Sequence, residues 1–198
     1  MGEVEARLRV LAVIGTLQRD STSAVVMEHL ADKMQKAGCL VDIIDFKKEP
    51  LALFDPDKTY QLPGYVGLQG RVDQADVIIL ATPDYHGSIS GAMKNFLDHF
   101  WREFAGKLFA TIVASPEKGL TVTDQLRTVA RQCYAWSLPY GLAFSNETDV
   151  TAGRISESFR ARLEMMTKDL CVYGKLLAQQ RRADLVTAEP GFMARYRK

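Results

Sequence analysis

Short apolar runs alternate along the chain with longer segments in which apolar residues recur every three or four positions. The runs predict five β-strands, at residues 7–14, 40–44, 77–81, 108–114 and 142–144. The periodic segments predict helices at residues 24–37, 69–75, 123–134 and 156–182, and another that begins at Gly91 with Ser90 as its N-cap. Strands that alternate with helices in this way favour an α/β fold with a parallel sheet covered by helices on both faces.

The chain shows no internal repeat and no linker, so we predict a single domain spanning residues 1–198. Residues 46–68 are rich in proline and glycine and have little periodicity. We interpret them as a long excursion, because loops of this length are usually functional or mobile. The residues from Ala183 onward are predicted to be either a loose tail or a segment that docks on a partner subunit.

Composition excludes several classes of partner. The formal net charge is +1, which gives no field that would favour nucleic acid or an anionic membrane. No apolar run approaches the roughly 20 residues that a membrane span needs. Cys39, Cys133 and Cys171 are far apart and have no metal-ligand spacing with the histidines. We therefore expect no metal, reduced thiols and a cytoplasmic location.

Three polar loops follow the first, third and fourth predicted strands. Right-handed crossovers bring such loops to one edge of a parallel sheet, where open α/β sheets bind their ligands. The first loop, residues 15–23, combines several hydroxyls and one cation with a helix start, which suits the terminal phosphate of a mononucleotide. It has neither the Walker A pattern nor the three glycines of a dinucleotide site. The alternative is that its serines only cap the helix.

The second loop, residues 83–88, and the third loop, residues 115–119, offer groups suited to a flat ring. Gly87 would let the backbone approach the ring, and Tyr85 could cover one of its faces. Amides of the third loop or Lys118 could face the edge of a heterocycle. The alternatives are that Tyr85 packs against protein and that His86 is simply exposed. Likewise, Glu117 and Lys118 would then form a solvated charge pair.

Residues 82–98, TPDYHGSISGAMKNFLD, are similar to the signature of the NADPH-dependent FMN reductase family, which runs approximately TPEYNGSIPGALKNALD. His86 replaces the family's Asn, and Ser90 replaces its Pro. The first loop resembles the family's GSxRxxSxN, with Gln18 where the Arg is expected and Arg19 one place further on. The third loop has only Gly119 where the family usually has a pair of glycines.

This resemblance implies a flavodoxin-like three-layer sandwich whose five-stranded parallel sheet has the order 2-1-3-4-5. It also implies bound FMN, NADPH or NADH as co-substrate, and a small-molecule electron acceptor such as a quinone, free flavin, chromate or azo compound. The protein would be a homodimer or homotetramer and would need no catalytic side chain, because the chemistry belongs to the cofactor. The expected cofactor-binding residues are Thr16, Gln18, Arg19, Ser21, Ser23, Pro83, Asp84, Tyr85, His86, Gly87, Ser88, Ser115, Lys118 and Gly119.

Two other functions remain open from the sequence. One is a flavodoxin-like electron carrier without turnover, although such carriers are usually strongly acidic. The other is a flavin-free protein of the same fold. A stripe formed by Phe96, Phe100 and Phe104 has two interpretations as well: it packs in the core, or it forms a dimer seam beside the flavin.

Overall fold

The computed structural model describes residues 6–188 and 191–197, and its centre is a parallel sheet. Four strands lie in the order β2-β1-β3-β4, with β1 Arg9–Ile14, β2 Leu40–Asp45, β3 Val77–Pro83 and β4 Leu108–Ala114. Beyond β4, the fifth position is filled by two short strands, β5 Trp136–Ser137 and β6 Leu142–Phe144. The predicted order 2-1-3-4-5 is confirmed.

The break in the fifth strand has a local cause. β5 pairs with the beginning of β4 and β6 with its end, so the two pieces continue one line. Between them, Pro139 has no N–H to donate to a ladder. Gly141 lies so close to the Thr111 side chain that a Cβ at residue 141 would collide with the Thr111 Oγ1.

Helices cover both faces of the sheet, as predicted. α1 Thr22–Lys36 and α5 Glu157–Val186 pack on one face. α2 Tyr65–Gln74, α3 Gly91–Asp98 and α4 Leu120–Gln132 pack on the other. Every residue of β3 is buried because the strand lies between both layers, which explains its apolar run from Val77 to Ala81. A hairpin of β7 Val150–Thr151 and β8 Arg154–Ile155, which the sequence did not suggest, precedes α5.

Three helices begin at a serine whose hydroxyl oxygen accepts the N–H of the residue three positions on. Ser21, Ser90 and Ser156 accept in this way from Ala24, Met93 and Phe159, at 3.2, 3.0 and 3.3 Å. Each satisfies one of the N–H groups that a helix start leaves without a partner. The predicted N-cap at Ser90 is confirmed.

The aromatic stripe after the signature belongs to the core. α3 ends at Asp98, earlier than a continuous helix through Phe104 would require, and a short 3₁₀ helix follows at Arg102–Phe104. Phe96, Phe100 and Phe104 are buried, and their ring centroids lie 5.3–6.1 Å apart. The stripe therefore packs within its own chain, and its interpretation as a dimer seam is wrong.

The excursion and the tail both pack on their own chain. The Asn95 side chain on α3 holds the excursion by accepting the Phe54 N–H and donating to the Ala52 carbonyl, at 2.8 and 2.9 Å. α6 Phe192–Arg197 follows α5, and the Tyr196 ring lies 4.3 Å from that of Tyr134. The described part of the tail is thus not loose. None of the helices in the described ranges combines the length and apolar character that crossing a membrane requires.

Candidate functional site

The three loops meet at the carboxyl edge of the sheet and contact one another. The Gly15 N–H donates to the Ala81 carbonyl at 2.7 Å, which joins the first loop to the end of β3. The Asp84 N–H donates to the Ala114 carbonyl at 2.9 Å, and the Ser115 hydroxyl donates to the Asp84 carboxylate at 3.0 Å. The predicted site residues of all three loops therefore lie along one rim.

The first loop presents hydroxyls whose oxygens are already positioned. The Thr16 Oγ1 accepts the Gln18 N–H at 3.3 Å, and the Ser21 Oγ caps α1. Within the described chain neither hydroxyl donates its own hydrogen to a protein acceptor, and Thr16 as a whole is 3% exposed. Ser23 is buried, while Gln18 and Arg19 are exposed.

Two residues that the sequence analysis missed hold this loop from outside. The Lys47 ammonium, two residues beyond β2, donates to the Arg19 carbonyl at 3.0 Å. The Thr22 hydroxyl donates to the Asn146 side-chain oxygen at 2.7 Å, which joins α1 to the loop after β6. Both Lys47 and Asn146 follow the carboxyl ends of parallel strands, and that position was the signal that could have identified them.

The second loop is a two-residue turn closed by paired bonds. The Tyr85 N–H donates to the Ser88 carbonyl at 3.0 Å, and the Ser88 N–H donates to the Tyr85 carbonyl at 3.1 Å. Between them, His86 and Gly87 have φ of 58° and 75°. Turns with positive φ at both central residues favour Asn-Gly, and His is among the residues that tolerate this region best after Asn and Asp. His86 can therefore occupy the family's Asn position.

Most amides of this turn are engaged within the protein. The N–H groups of Asp84, Tyr85 and Ser88 bond to backbone carbonyls, and that of Gly87 bonds to the Asp84 carboxylate at 2.8 Å. In the described part of the chain, the His86 N–H has no acceptor. Of the second-loop amides predicted to face a ring, the His86 N–H is therefore the one that can still donate to it.

Gln125 on α4 fastens the turn and was also missed. Its side-chain oxygen accepts from the Ser88 hydroxyl at 3.0 Å and from the Ile89 N–H at 3.2 Å. Its side-chain nitrogen donates to the Gly87 carbonyl at 3.2 Å. No sequence pattern marks this residue, because its partners lie 36–38 positions away in the chain.

Ser90 ties the turn to the first loop in a way that proline could not. Its N–H donates to the Thr82 Oγ1 at 3.0 Å, and its hydroxyl donates to the Gly15 carbonyl. Gly15 itself must lack a side chain, since a Cβ there would lie 2.7 Å from the Met93 Cε. The change from the family's Pro to Ser90 thus adds two bonds from the N-cap of α3, one to β3 and one to the first loop.

The third loop is built around Ser115 and Gly119. Ser115 is buried, with its N–H donating to the Phe144 carbonyl at 2.9 Å and its Oγ accepting the Glu117 N–H at 3.2 Å. Gly119 begins α4 with φ of 58°, and a Cβ there would lie 2.8 Å from the Val113 Cγ1. Lys118 is exposed. A recess of 230 Å³ separates this loop from the loop after β6.

The rim offers hydrogen-bond donors of the kinds that a flavin mononucleotide uses. Hydroxyls and the α1 N-terminus suit its phosphate, and the His86 N–H suits an acceptor atom of the ring. A Cβ added at Gly87 would meet nothing nearer than the Thr121 Oγ1, at 3.9 Å, so the space beside the turn is open. Fold and site together define a doubly wound α/β protein that binds a flat mononucleotide.

The chain belongs to the NADPH-dependent FMN reductase family, whose model matches residues 8–149. The NADPH azoreductase of Bacillus sp. (strain OY1-2) is 24% identical over 170 residues, covering 84% of this chain and 92% of that protein. The FMN-dependent NADPH-azoreductase of Staphylococcus aureus (strain USA300) is 31% identical over 97 residues, covering 46% of this chain and 52% of that protein. The resemblance of the signature is therefore confirmed over most of the chain.

Solved structures confirm the flavodoxin-like fold. The flavoenzyme NAD(P)H:(acceptor) oxidoreductase FerB from Paracoccus denitrificans superimposes with a TM-score of 0.71 at 19% identity, covering 85% of this chain and 98% of that one. The WrbA-like flavodoxin from Agrobacterium tumefaciens superimposes with a TM-score of 0.57 at 18% identity, covering 88% and 99%. By family, this chain is an FMN-dependent NAD(P)H oxidoreductase that uses FMN as cofactor and NADPH as co-substrate and acts on small-molecule acceptors.

Proposed function

We propose that the first loop holds the FMN phosphate. The hydroxyls of Thr16 and Ser21 would donate to its oxygens, with Ser23, Gln18 and the α1 N-terminus beside them. Arg19 lies next to the position of the family's Arg, and the Lys47 ammonium lies 3.0 Å from the Arg19 carbonyl. These two cations together would supply the charge that Gln18 lacks.

The second and third loops would hold the isoalloxazine ring. In this arrangement the ring lies in the open space beside Gly87, and the His86 N–H donates to it. Pro83, Asp84 and Ser88 fix the turn, while Tyr85 borders one face of the ring. Ser115, Lys118 and Gly119 border its pyrimidine edge. The contacts that join Asp84 to Ala114 and Ser115 are the observation that carries this proposal, because they make the two loops one surface.

When bound, FMN would supply the redox chemistry at this rim, between the nicotinamide as hydride donor and the second substrate as electron acceptor. The chain supplies orientation: the second loop fixes the ring edge, and the first loop fixes the phosphate. No acidic or basic side chain is assigned a proton-transfer role. Either NADPH or NADH would stack on the same exposed ring face.

The acceptor would be a flat aromatic molecule, an azo compound or a quinone. Three exposed apolar side chains surround the rim: Leu17 at 65%, Tyr85 at 43% and Leu120 at 66% exposure. Such groups favour apolar rings over small hydrophilic ions such as chromate. Related proteins are named azoreductases, which supports the same class of acceptor.

Assembly, location and domain organisation complete the proposal. We propose a homodimer or homotetramer in which a partner subunit covers the exposed apolar rim. The cysteines of the described chain are free, and the Cys39 and Cys171 sulfurs share a hydrogen bond at 3.8 Å rather than a disulfide. Reduced thiols favour a cytoplasmic location. Residues 1–198 would work as one domain.

Two measurements test the site. Purified protein should show flavin absorbance, and apoprotein should bind FMN more tightly than riboflavin, because riboflavin lacks the phosphate. Thr16→Val should reduce that preference by about 10–150-fold, since it removes one charge-assisted hydrogen bond of about 1.5–3 kcal/mol while keeping the side-chain shape. Equal affinity for FMN and riboflavin in the unmodified protein would refute the phosphate assignment.

Steady-state NADPH oxidation with azo dyes and quinones, compared with chromate, tests the acceptor class.

A further inference from the structure

A cavity of 530 Å³ lies under the excursion. Its walls come from the end of β2, the excursion, α2 and the residue after α3, and none of the residues predicted to bind FMN lines it. It is more than twice the volume of the 230 Å³ recess beside the third loop. Its size falls within the range of about 300–1,000 Å³ that is usual for small-molecule sites.

Apolar and aromatic side chains form most of its surface, including Phe46, Leu51, Leu62, Tyr65 and Leu68. Tyr65 is held in place because its hydroxyl donates to the His99 carbonyl at 3.3 Å and its ring stacks 6.1 Å from that of Phe100. Burial raises the pKa of Tyr65 to about 12, so its hydroxyl stays neutral at physiological pH. Tyr65 is therefore a fixed, aromatic and uncharged part of the wall.

The two charged groups in the lining neutralise each other. The Arg71 guanidinium donates to both carboxylate oxygens of Asp42, at 2.7 and 2.8 Å, and to Glu49 at 2.6 Å. These bonds raise the pKa of Arg71 above its usual range, so the pairs persist. A charged ligand would have to compete with them, which favours an uncharged one.

His99 supplies one hydrogen-bond acceptor. Its Nδ1 lies 2.7 Å from the Asn95 carbonyl oxygen, which can only accept, so Nδ1 carries the hydrogen and the neutral ring has its lone pair at Nε2. Within residues 6–188 and 191–197 this Nε2 has no hydrogen-bond partner, yet it is not sealed from solvent. The residue as a whole is only 3% exposed and lines the cavity, so the access to Nε2 runs through the cavity.

We propose that this cavity is a second binding site, which takes an uncharged aromatic molecule with a hydroxyl group, a phenol or a naphthol. The ring packs against Phe46, Tyr65 and the leucines, and the hydroxyl donates to the His99 Nε2. A ligand that fills the cavity displaces water from the Nε2, and an acceptor left buried without a partner is costly. A ligand that supplies the donor is therefore favoured over one of the same shape that does not. The proposal does not depend on how FMN is held.

The first experiment places the ligand. FMN-loaded protein is titrated with 4-ethylphenol by calorimetry, and the imidazole nitrogens are followed by ¹⁵N NMR, which is tractable because the chain has three histidines. We expect the Nε2 resonance of His99 to move and that of His86, on the second loop, to stay. A shift at His86 alone, or no binding at millimolar probe, would overturn the proposal.

The second experiment isolates the hydrogen bond. 4-Ethylanisole, which lacks the donor, should bind about 2–10-fold more weakly than 4-ethylphenol, the factor expected for one net hydrogen bond. In His99→Phe the two probes should bind equally. If the preference for the phenol survives in His99→Phe, His99 is not the acceptor and the proposal fails.

The third experiment fills the cavity. Leu51→Trp should weaken 4-ethylphenol binding by about tenfold or more, because the indole occupies the space of the ring. Val66→Trp on α2 is the matched control, since Val66 is 76% exposed and does not line the cavity. FMN absorbance and thermal unfolding identify any variant that misfolds. Unchanged binding of 4-ethylphenol in a folded Leu51→Trp variant would refute the site. A second copy of the chain that covers the cavity in solution would refute it as well.

Discussion

Replacing Gln125 tests whether the second loop must be held rigid to bind FMN. Gln125→Leu keeps the approximate size of the side chain and removes three hydrogen bonds, those to the Ser88 hydroxyl, the Ile89 N–H and the Gly87 carbonyl. The paired bonds between Tyr85 and Ser88 remain. The turn would therefore still form, but it would no longer be fixed to α4.

The expected magnitude follows from those three bonds. Each contributes about 0.5–1.5 kcal/mol net, and water can replace part of that because Gln125 is only half-buried. A net loss of about 1–2 kcal/mol is left, which is about 5–30-fold in an equilibrium constant. Since FMN would bind the fixed turn, the free energy needed to order the turn reduces the apparent affinity by that factor.

The assay is a titration of apoprotein with FMN, followed by quenching of flavin fluorescence. Gln125→Glu should give an intermediate loss, because a carboxylate still accepts from Ser88 and Ile89 but cannot donate to the Gly87 carbonyl. Thr128→Leu, at an exposed position on the same helix, is the control and should bind as the unmodified protein does. FMN affinity in Gln125→Leu within twofold of Thr128→Leu would refute the reasoning.

Three further predictions concern other parts of the molecule. Gly87→Val should reduce FMN affinity by about a hundredfold or more, because φ is 75° there and the side chain enters the open space beside the turn. Gly87→Ala should lose less affinity. A folded Gly87→Val variant that binds FMN as tightly as the unmodified protein would contradict this. Lys107→Met should lower the free energy of unfolding, measured in urea, by about 2–4 kcal/mol, because the buried ammonium donates to the Asp73 and Ala75 carbonyls at the end of α2. The FMN affinity of this variant should be unchanged. The pKa of His29 is lowered by burial and by nearby cations, so the unfolded state binds the proton more tightly than the folded state does. Stability should therefore fall as pH drops below about 6.5. In thermal melts, His29→Gln should lose this part of the pH dependence of stability.

The sequence predicted those features that depend on local pattern. The apolar run of β3 and the serine before α3 are local signals, and both were confirmed. The meeting of the three loops was also predictable, because it follows from parallel strands and right-handed crossovers. Each of these rests on residue spacing or on the general geometry of parallel sheets.

The remaining features depend on contacts between distant residues. Gln125 bonds to a turn 36–38 positions away, and Lys47 reaches the first loop 28 positions away. The end of α3 at Asp98 also lacks a strong sequence marker, since neither glycine nor proline follows. Periodicity along one segment cannot show which side chain on a second segment faces it.

The departures from the family pattern are compatible with an FMN site, because each meets the backbone requirement of its position. His86 adopts the positive φ of the turn and still presents its N–H. The Ser90 hydroxyl caps α3 and bonds to the first loop, and its N–H donates to the Thr82 Oγ1; a proline has neither the hydroxyl nor the N–H. In the third loop the position with positive φ and no room for a Cβ is Gly119, and neither Lys118 nor Leu120 beside it has positive φ. A single glycine therefore meets the backbone requirement there. We propose that the positive charge at the phosphate comes from Arg19 and Lys47 instead of from the position of Gln18.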